Sequence, residues 1–124
     1  MLQNLAFTIE NLKNAYKNGL SPQEVINEIF NRIKIINDPN IFINLLTLEN
    51  LNAEAKKLGK YNPNMPLWGI PFAVKDNIDV NKIMTTAGCP EFSYIAKSDA
   101  FTVNLLKKAG ALMIGKTNLD QFAT

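Results

Sequence analysis

The sequence contains no histidine and only one cysteine, and these two shortages limit the chemistry that its 124 residues can perform. Histidine is the commonest acid–base and metal-binding side chain near neutral pH. Cys89 has no second cysteine for an intrachain disulfide, and no histidine to form a cysteine–histidine nucleophile or most zinc sites. The sequence therefore argues against a disulfide scaffold and a zinc protein, and we expect no metal and no other cofactor.

Strong charge and long apolar runs are also missing. Lysine and arginine number 13 against 11 aspartates and glutamates, a net charge of +2 that is too weak for a nucleic-acid footprint. Lys56, Lys57 and Lys60 have no aromatic neighbours and are interpreted as an exposed helix end. The N-terminus lacks a signal-peptide pattern, and no window approaches the ~18 apolar residues of a membrane span. We expect no direct nucleic-acid partner, no membrane partner and a cytoplasmic location.

The composition that remains, 47% apolar and 19% charged, is that of one globular domain. Residues 1–60 are predicted to be mainly helical. Thr8 is a predicted N-cap of a short helix that ends near Gly19. A second helix is predicted to begin at Pro22, because Ser21 and Glu24 form a capping-box pattern around it. Asp38-Pro39-Asn40 is predicted to end this helix. Its predicted apolar face consists of Val25, Ile26, Ile29, Phe30, Ile33 and Ile36.

A strand, a helix and a loop are predicted to follow. Residues 41–43 favour a short strand because they are β-branched or aromatic. Helical spacing then predicts a third helix whose apolar positions are Leu48, Leu51, Ala55 and Leu58. The segment GKYNPNMP at residues 59–66 contains two prolines, a glycine and two asparagines and predicts a loop.

From residue 67 the pattern changes to strand, helix, strand. Short apolar runs at residues 70–74 and 112–114 predict two strands. Between them, Ser98 and Asp99 are predicted to cap a helix that stops at Gly110. The side chains predicted to face inward from this helix are Phe101, Leu105, Leu106 and Ala109. The order indicates a parallel βαβ unit.

Residues 118–123 are predicted to begin another helix. Because a parallel pair of apolar strands needs cover on both faces, the sequence predicts an incomplete α/β domain. Its first part, residues 1–60, is mainly helical, and residues 67–124 begin the α/β core. Across the whole range 1–124 the chain is thus predicted to be one segment of a larger domain.

Lys75 is the first candidate for chemistry, since it ends the apolar run at residues 72–74. At the end of a buried strand, a lysine in a low-dielectric cleft can serve as a neutral base or nucleophile. The structural alternative, which spacing alone favours, is a lysine that emerges into water and pairs with Asp76 or Asp79.

Two other segments carry weaker signals. The small residues of TTAGCP at 85–90 permit close approach to a ligand but are equally typical of a turn. The segment GALMIGKT at 110–117 formally matches a phosphate-binding loop. We reject that interpretation because its interior is an apolar strand, whereas such a loop needs exposed backbone amides.

Three blocks together resemble the first part of the amidase signature family. They are GIPFAVKDNIDV at 69–80, TTAGCPEF at 85–92 and DAFTVNLLKKAGALMIGKTNLDQFAT at 99–124. The resemblance implies the start of that family's α/β fold, a mixed sheet covered by helices. It also implies an amide-bond hydrolase that uses a serine, a second serine in a cis peptide and a lysine.

Within the family, DNIDV, the Cys89-Pro90 pair and NLDQFAT are most similar to the allophanate hydrolase branch. This branch implies hydrolysis of allophanate to ammonia and carbon dioxide in urea degradation, alongside a biotin-dependent urea carboxylase. The alternative is the A-subunit branch of glutamyl-tRNA amidotransferase, in which glutamate is typical at the place of Gln121.

By this resemblance Lys75 is the catalytic lysine, which holds the bridging serine and takes its proton. Residues expected to support the site are Thr86, Gly88, Cys89, Asn118, Asp120 and Gln121. The only serines, Ser21, Ser93 and Ser98, lie outside any glycine–serine-rich loop. The nucleophile and the oxyanion-stabilising loop are therefore missing, and the chain by itself is predicted to have no amidase activity.

Three functions fit these observations. The first is a segment of an amidase of the allophanate hydrolase kind, which acts on a small amide. A C-terminal amidase fragment would complete this enzyme. The second is a fragment of the amidotransferase A-subunit kind. The third is a non-catalytic interaction module derived from an amidase.

Overall fold

The computed structural model describes residues 2–124 and contains a three-stranded mixed sheet with helices on both faces. Its helices are α1 (Ile9–Lys17), α2 (Pro22–Ile36), α3 (Leu48–Lys57) and α4 (Phe101–Lys108). Its strands are β1 (Phe42–Leu45), β2 (Pro71–Lys75), β3 (Met84–Thr85), β4 (Tyr94–Ile95) and β5 (Leu112–Thr117). Short 3-10 helices cover Leu2–Asn4, Pro90–Phe92 and Gln121–Ala123. Within residues 2–124 no helix is long and apolar enough to cross a membrane.

A side chain caps the start of each of the first three helices, and for α1 and α2 it is the predicted residue. Thr8 accepts a hydrogen bond from the Asn11 amide at the start of α1, and Thr47 does the same for α3. At the start of α2 the capping box is complete, since Ser21 accepts from the Glu24 amide and Glu24 accepts from the Ser21 amide. These bonds satisfy amides that have no partner within the helix. Ile36 and Leu48, however, are exposed rather than inward-facing.

Strand β5 lies at the centre of the sheet, antiparallel to β1 and parallel to β2. The predicted βαβ unit is therefore confirmed, with α4 as its crossover helix. The remaining strands, β3 and β4, form a separate antiparallel pair that the sequence did not predict.

Two apolar clusters cover the two faces of the sheet. The larger contains Leu112 and Ile114 of β5 together with side chains of α1, α2 and α3, including the fully buried Leu51. The smaller contains Val74 of β2, Met113 of β5, Val80 and Val103 of α4. Alternation along β5 sends successive side chains to the two clusters.

Helix α4 differs from its prediction in its cap and its buried face. The N-cap is Ala100, not Ser98 or Asp99, and no side chain caps this end. Asp99 instead accepts from the Asn81 amide and pairs with Lys107 at 2.9 Å. Val103 is the fully buried residue of α4, whereas Phe101 and Leu105 are exposed. The helix thus contacts the sheet through a narrower face than its apolar residues suggest.

The segment after β5 is also not the predicted helix. Only Gln121–Ala123 forms a 3-10 turn, and Phe122 and Ala123 both have positive φ. A right-handed α-helix cannot continue through such residues. The turn bends toward the loop at residues 85–88, where the Phe122 amide donates to the Ala87 carbonyl at 2.8 Å.

Candidate functional site

Lys75 is the last residue of β2, and its side chain is exposed. It is registered with Thr117, the last residue of β5, at the edge where both parallel strands end. Within residues 2–124 Lys75 forms no salt bridge, because Asp76 and Asp79 have other partners. Lys75 thus emerges into solvent, as the structural alternative expects, whereas the acid pair in that alternative is wrong.

Asp76 forms a fully buried ion pair with Lys116, which the sequence did not predict. Lys116 Nζ lies 2.9 Å from Asp76 Oδ1, and both side chains are 0% exposed. Two buried charges lose their hydration, so they persist in a fold only when each is compensated. This pair lies beside Lys75, since Asp76 follows it in sequence and Lys116 precedes its register partner Thr117.

Both members of the pair also bind the segment at residues 84–87. Asp76 Oδ2 accepts hydrogen bonds from the Thr86 amide and the Thr86 hydroxyl. Lys116 Nζ donates to the Met84 carbonyl at 3.2 Å and to the Thr85 hydroxyl oxygen at 3.3 Å. The Ala87 amide donates to the Asp76 carbonyl at 3.0 Å. These bonds attach the loop to the end of β2.

Asp79 extends the polar network toward the surface. Its Oδ1 accepts from the Thr85 hydroxyl at 2.8 Å and from the Tyr94 hydroxyl at 2.7 Å. The hydrogen bond to Asp79 stabilises the protonated phenol and so raises the pKa of Tyr94 above its usual value.

A bulge in the sheet explains how Lys116 reaches Asp76. The register between β2 and β5 shifts at the step from Phe72 to Ala73, where β5 carries one more residue than β2. Beyond this shift Lys116 is registered with Val74, a member of the smaller cluster. Strict alternation would have placed Lys116 on the face of Leu112 and Ile114 instead.

Three of the proposed support residues meet in one place. Thr86 is buried and binds Asp76, while Gly88 has φ +74° and lies against the backbone of Gln121. A Cβ at Gly88 would stand 3.2 Å from Gln121 Cα and from the Leu119 carbonyl oxygen, so glycine, which also suits the positive φ, allows the two segments to lie this close. The loop at 85–88 and the segment at 119–121 thus form one wall near Lys75.

The side chains of the other three take no part in this contact. Cys89 Sγ is 3.4 Å from Glu91 Oε2 and points to a neighbouring turn. Asn118 accepts from the Leu119 amide through its own side chain, and Asp120 is exposed and caps nothing with its carboxylate. Ser21 caps α2, and within residues 2–124 no group of three or more His, Cys, Asp or Glu side chains could hold a metal ion.

Comparisons with known proteins point to one family. A family model described as Amidase matches residues 24–124. The urea amidolyase of Saccharomyces cerevisiae is 49% identical over 87 residues, which cover 68% of this chain and 5% of that protein. The A-subunit of glutamyl-tRNA(Gln) amidotransferase from Lawsonia intracellularis is 49% identical over 108 residues, 83% of this chain and 22% of that protein. This chain therefore spans less than a quarter of each relative.

Solved structures agree on the fold. The allophanate hydrolase of Kluyveromyces lactis superposes with a TM-score of 0.78 at 38% identity, covering 97% of this chain and 20% of that one. A peptide amidase from Stenotrophomonas maltophilia superposes with a TM-score of 0.82 over 98% of this chain and 26% of that one. Its 24% identity supports the fold alone.

Proposed function

The chain belongs to the amidase family, and from this premise we propose that it supplies the lysine-bearing part of an amide-bond hydrolase of the allophanate hydrolase kind. The observation that carries the proposal is the position of Lys75. Its amine stands exposed and without an acidic partner in residues 2–124, at the strand edge where the loop 85–88 and the segment 119–121 meet. An amine in this position is available to groups that approach the edge.

The proposed chemistry assigns Lys75 the proton transfers. A neutral lysine amine accepts the proton of a bridging serine, which in turn takes the proton of the serine nucleophile as that oxygen attacks the amide carbon. The proton returns through the same route to the leaving amine, and water then releases the acyl group. Because the three serines of this chain lie outside a glycine–serine-rich loop, both catalytic serines come from a second segment.

The segment that carries the serines must also make a second contribution, which is apolar cover over Lys75. A lysine serves as a base only when its amine is neutral. A base needs a drier environment, which favours the neutral amine. We therefore propose that a C-terminal amidase segment supplies the serines, the oxyanion-stabilising loop and the apolar cover together.

The test is complementation. The chain is mixed or co-expressed with a polypeptide that carries the serine-rich part of an amidase, and ammonia release from allophanate is measured. We expect no hydrolysis by the chain alone, hydrolysis by the mixture, and a loss of about 10³-fold or more for Lys75→Ala. Lys97→Ala, which removes another exposed lysine, is the matched control and should keep the rate. An active mixture containing Lys75→Ala would overturn the assignment.

A second candidate is the activity of a glutamyl-tRNA amidotransferase of which this chain would form part of the A-subunit. The observation in its favour is the 49% identity to that relative over 108 residues, which equals the identity to urea amidolyase and extends over a longer stretch. The same mixtures assayed with glutamine separate the two candidates, because ammonia release from glutamine but not from allophanate would favour the second.

Partners and location follow from the first candidate. The small amide substrate is allophanate, and a biotin-dependent urea carboxylase would supply it. A cytoplasmic location is part of this proposal. Co-purification of the chain with a biotinylated protein tests this partner.

A further inference from the structure

We propose that Asp76 and Lys116 are positioning residues for Lys75, a role that rests on the proposed function of Lys75. The two side chains form a buried clamp that fixes the end of β2 against the loop at residues 84–88. The place of the clamp beside Lys75, the segments that it joins and the hydrogen bonds of its two side chains each support this role.

The two residues of the clamp lie next to Lys75, one in sequence and the other on the neighbouring strand. Asp76 is its neighbour in the chain, and the Asp76 amide donates to the carbonyl of Thr117, the register partner of Lys75. Lys116 precedes Thr117 on β5. Any shift of the ion pair therefore moves the backbone from which the Lys75 side chain projects.

The clamp also joins the segments that form the wall of the site. Asp76 accepts from the amide and the hydroxyl of Thr86, while Lys116 donates to the carbonyl of Met84 and to Thr85. The loop in turn holds the segment at 119–122 through Gly88 and through the bond from the Phe122 amide to the Ala87 carbonyl. Three separate parts of the chain thus meet at or next to this ion pair.

Stability alone does not account for such a pair. Well-packed apolar residues often replace a buried ion pair without loss of stability, because they avoid the cost of dehydrating two charges. The hydrogen bonds that Asp76 and Lys116 form with residues 84–86, however, impose directions that apolar contacts do not. The bulge in β5, which turns Lys116 toward Asp76, is a further departure from regular structure that serves this contact.

The experiment compares four variants of the chain. Lys116→Met and Asp76→Asn each remove one charge, and the double variant Asp76→Asn/Lys116→Met removes both, so that no buried charge is left unpaired. Val103→Ala is the control, since it opens the smaller apolar cluster without touching the clamp. The double variant keeps the test valid if the single variants fail to fold.

Two readouts are measured on each variant. The first is the rate at which an amine-selective acylating reagent modifies Lys75 in the chain, relative to the exposed Lys97, followed by mass spectrometry. The second is kcat and KM for allophanate in the complemented mixture. A variant that is only destabilised yields less folded protein. A variant in which Lys75 is displaced instead changes the acylation rate of Lys75 and the kcat of the complemented mixture.

We expect the double variant to fold, to change the Lys75/Lys97 acylation ratio by about threefold or more and to lower kcat by about 10- to 100-fold with KM nearly constant. Val103→Ala should leave both quantities near those of the parent chain. If the double variant follows Val103→Ala in both readouts, the positioning role is wrong and the pair is only structural.

Failure of the proposed function gives a different result. In that case Lys75→Ala keeps the rate of the complemented mixture, or the mixture shows no hydrolysis in any variant. The acylation ratio still decides the positioning role, because it is measured on the chain without substrate or partner.

Discussion

The two faces of the sheet are covered by different kinds of contact. On one face, α1, α2 and α3 cover β5 through a continuous apolar cluster that includes Leu51 and Trp68. On the other, a smaller apolar cluster stands beside a buried ion pair and its threonine partners. Apolar burial has no preferred direction, whereas the hydrogen bonds that Asp76 and Lys116 form with residues 84–86 require particular distances and angles. The candidate site lies at the end of the sheet where the second kind of contact operates.

Breaking the ion pair should have the largest effect on stability. Lys116→Met leaves the Asp76 carboxylate buried without its cation, a change that typically costs about 3–5 kcal/mol. Urea unfolding of the chain, followed by circular dichroism, measures this loss. The double variant Asp76→Asn/Lys116→Met should recover most of it. A double variant as unstable as the single one would show that the hydrogen bonds, rather than the unpaired charge, dominate.

Truncation in the apolar face comes next. Leu51→Ala removes a side chain that is 0% exposed from the larger cluster, and such changes cost about 2–5 kcal/mol through lost burial and the cavity left behind. Ile36→Ala on α2 is the control, because Ile36 is 63% exposed. Its effect should stay within about 0.5 kcal/mol. Equal losses for the two variants would contradict the burial that separates them.

Much of the helical face could be predicted from the sequence. Capping residues and apolar spacing are local signals, so Thr8 and Ser21 mark the starts of α1 and α2 correctly, and the order strand, helix, strand gives the parallel pair β2 and β5. The prediction for α4 failed because Asp99 bonds to the distant Asn81 amide and to Lys107, and this tertiary use of its carboxylate overrides local capping.

The buried clamp could be predicted only in part. A lysine inside the strand LMIGKT requires an anionic partner, and a parallel neighbour that ends in Lys75-Asp76 offers one at the same edge. The bulge that turns Lys116 to the face of Val74 has no comparable signal, since it arises from the pairing of two strands that are far apart in sequence. The exposure of Lys75, by contrast, is what its position at the end of the apolar run favours.

A smaller effect tests the capping interpretation. Ser21→Ala removes the side chain that accepts from the Glu24 amide and should cost about 1 kcal/mol. Ser98→Ala is the matched control, because Ser98 was expected to cap α4 and does not. Its effect on the urea midpoint should be negligible. A comparable loss at Ser98 would restore the original prediction for α4.

The capping box also predicts a pH dependence. The backbone hydrogen bond from Ser21, followed by the Ser21 hydroxyl, lowers the pKa of Glu24. A carboxylate with a lowered folded-state pKa stabilises the protein above its unfolded-state pKa, and this contribution is lost as pH falls through the folded-state pKa. Glu24→Gln should therefore reduce the decline in stability below about pH 4.5. If Glu24→Gln and the parent chain lost the same unfolding free energy between neutral and acidic pH in urea titrations, the assignment would be contradicted.

The smallest effect concerns the outer end of the polar network. Tyr94→Phe removes a hydrogen bond to Asp79 on a partly exposed side chain, so the cost in unfolding free energy should be about 1 kcal/mol or less. Because this bond raises the pKa of Tyr94, its contribution is present at neutral pH and is lost as pH rises through the folded-state pKa, above about 10. The difference in unfolding free energy between Tyr94→Phe and the parent chain should accordingly shrink between pH 8 and strongly alkaline pH, about 11.

Tyr61→Phe is the control, since the Tyr61 ring packs edge-on against Trp68 and its hydroxyl donates no hydrogen bond within residues 2–124. A difference for Tyr94→Phe that stays constant with pH would mean that packing of the ring against Phe92, and not the bond to Asp79, is what the substitution disturbs.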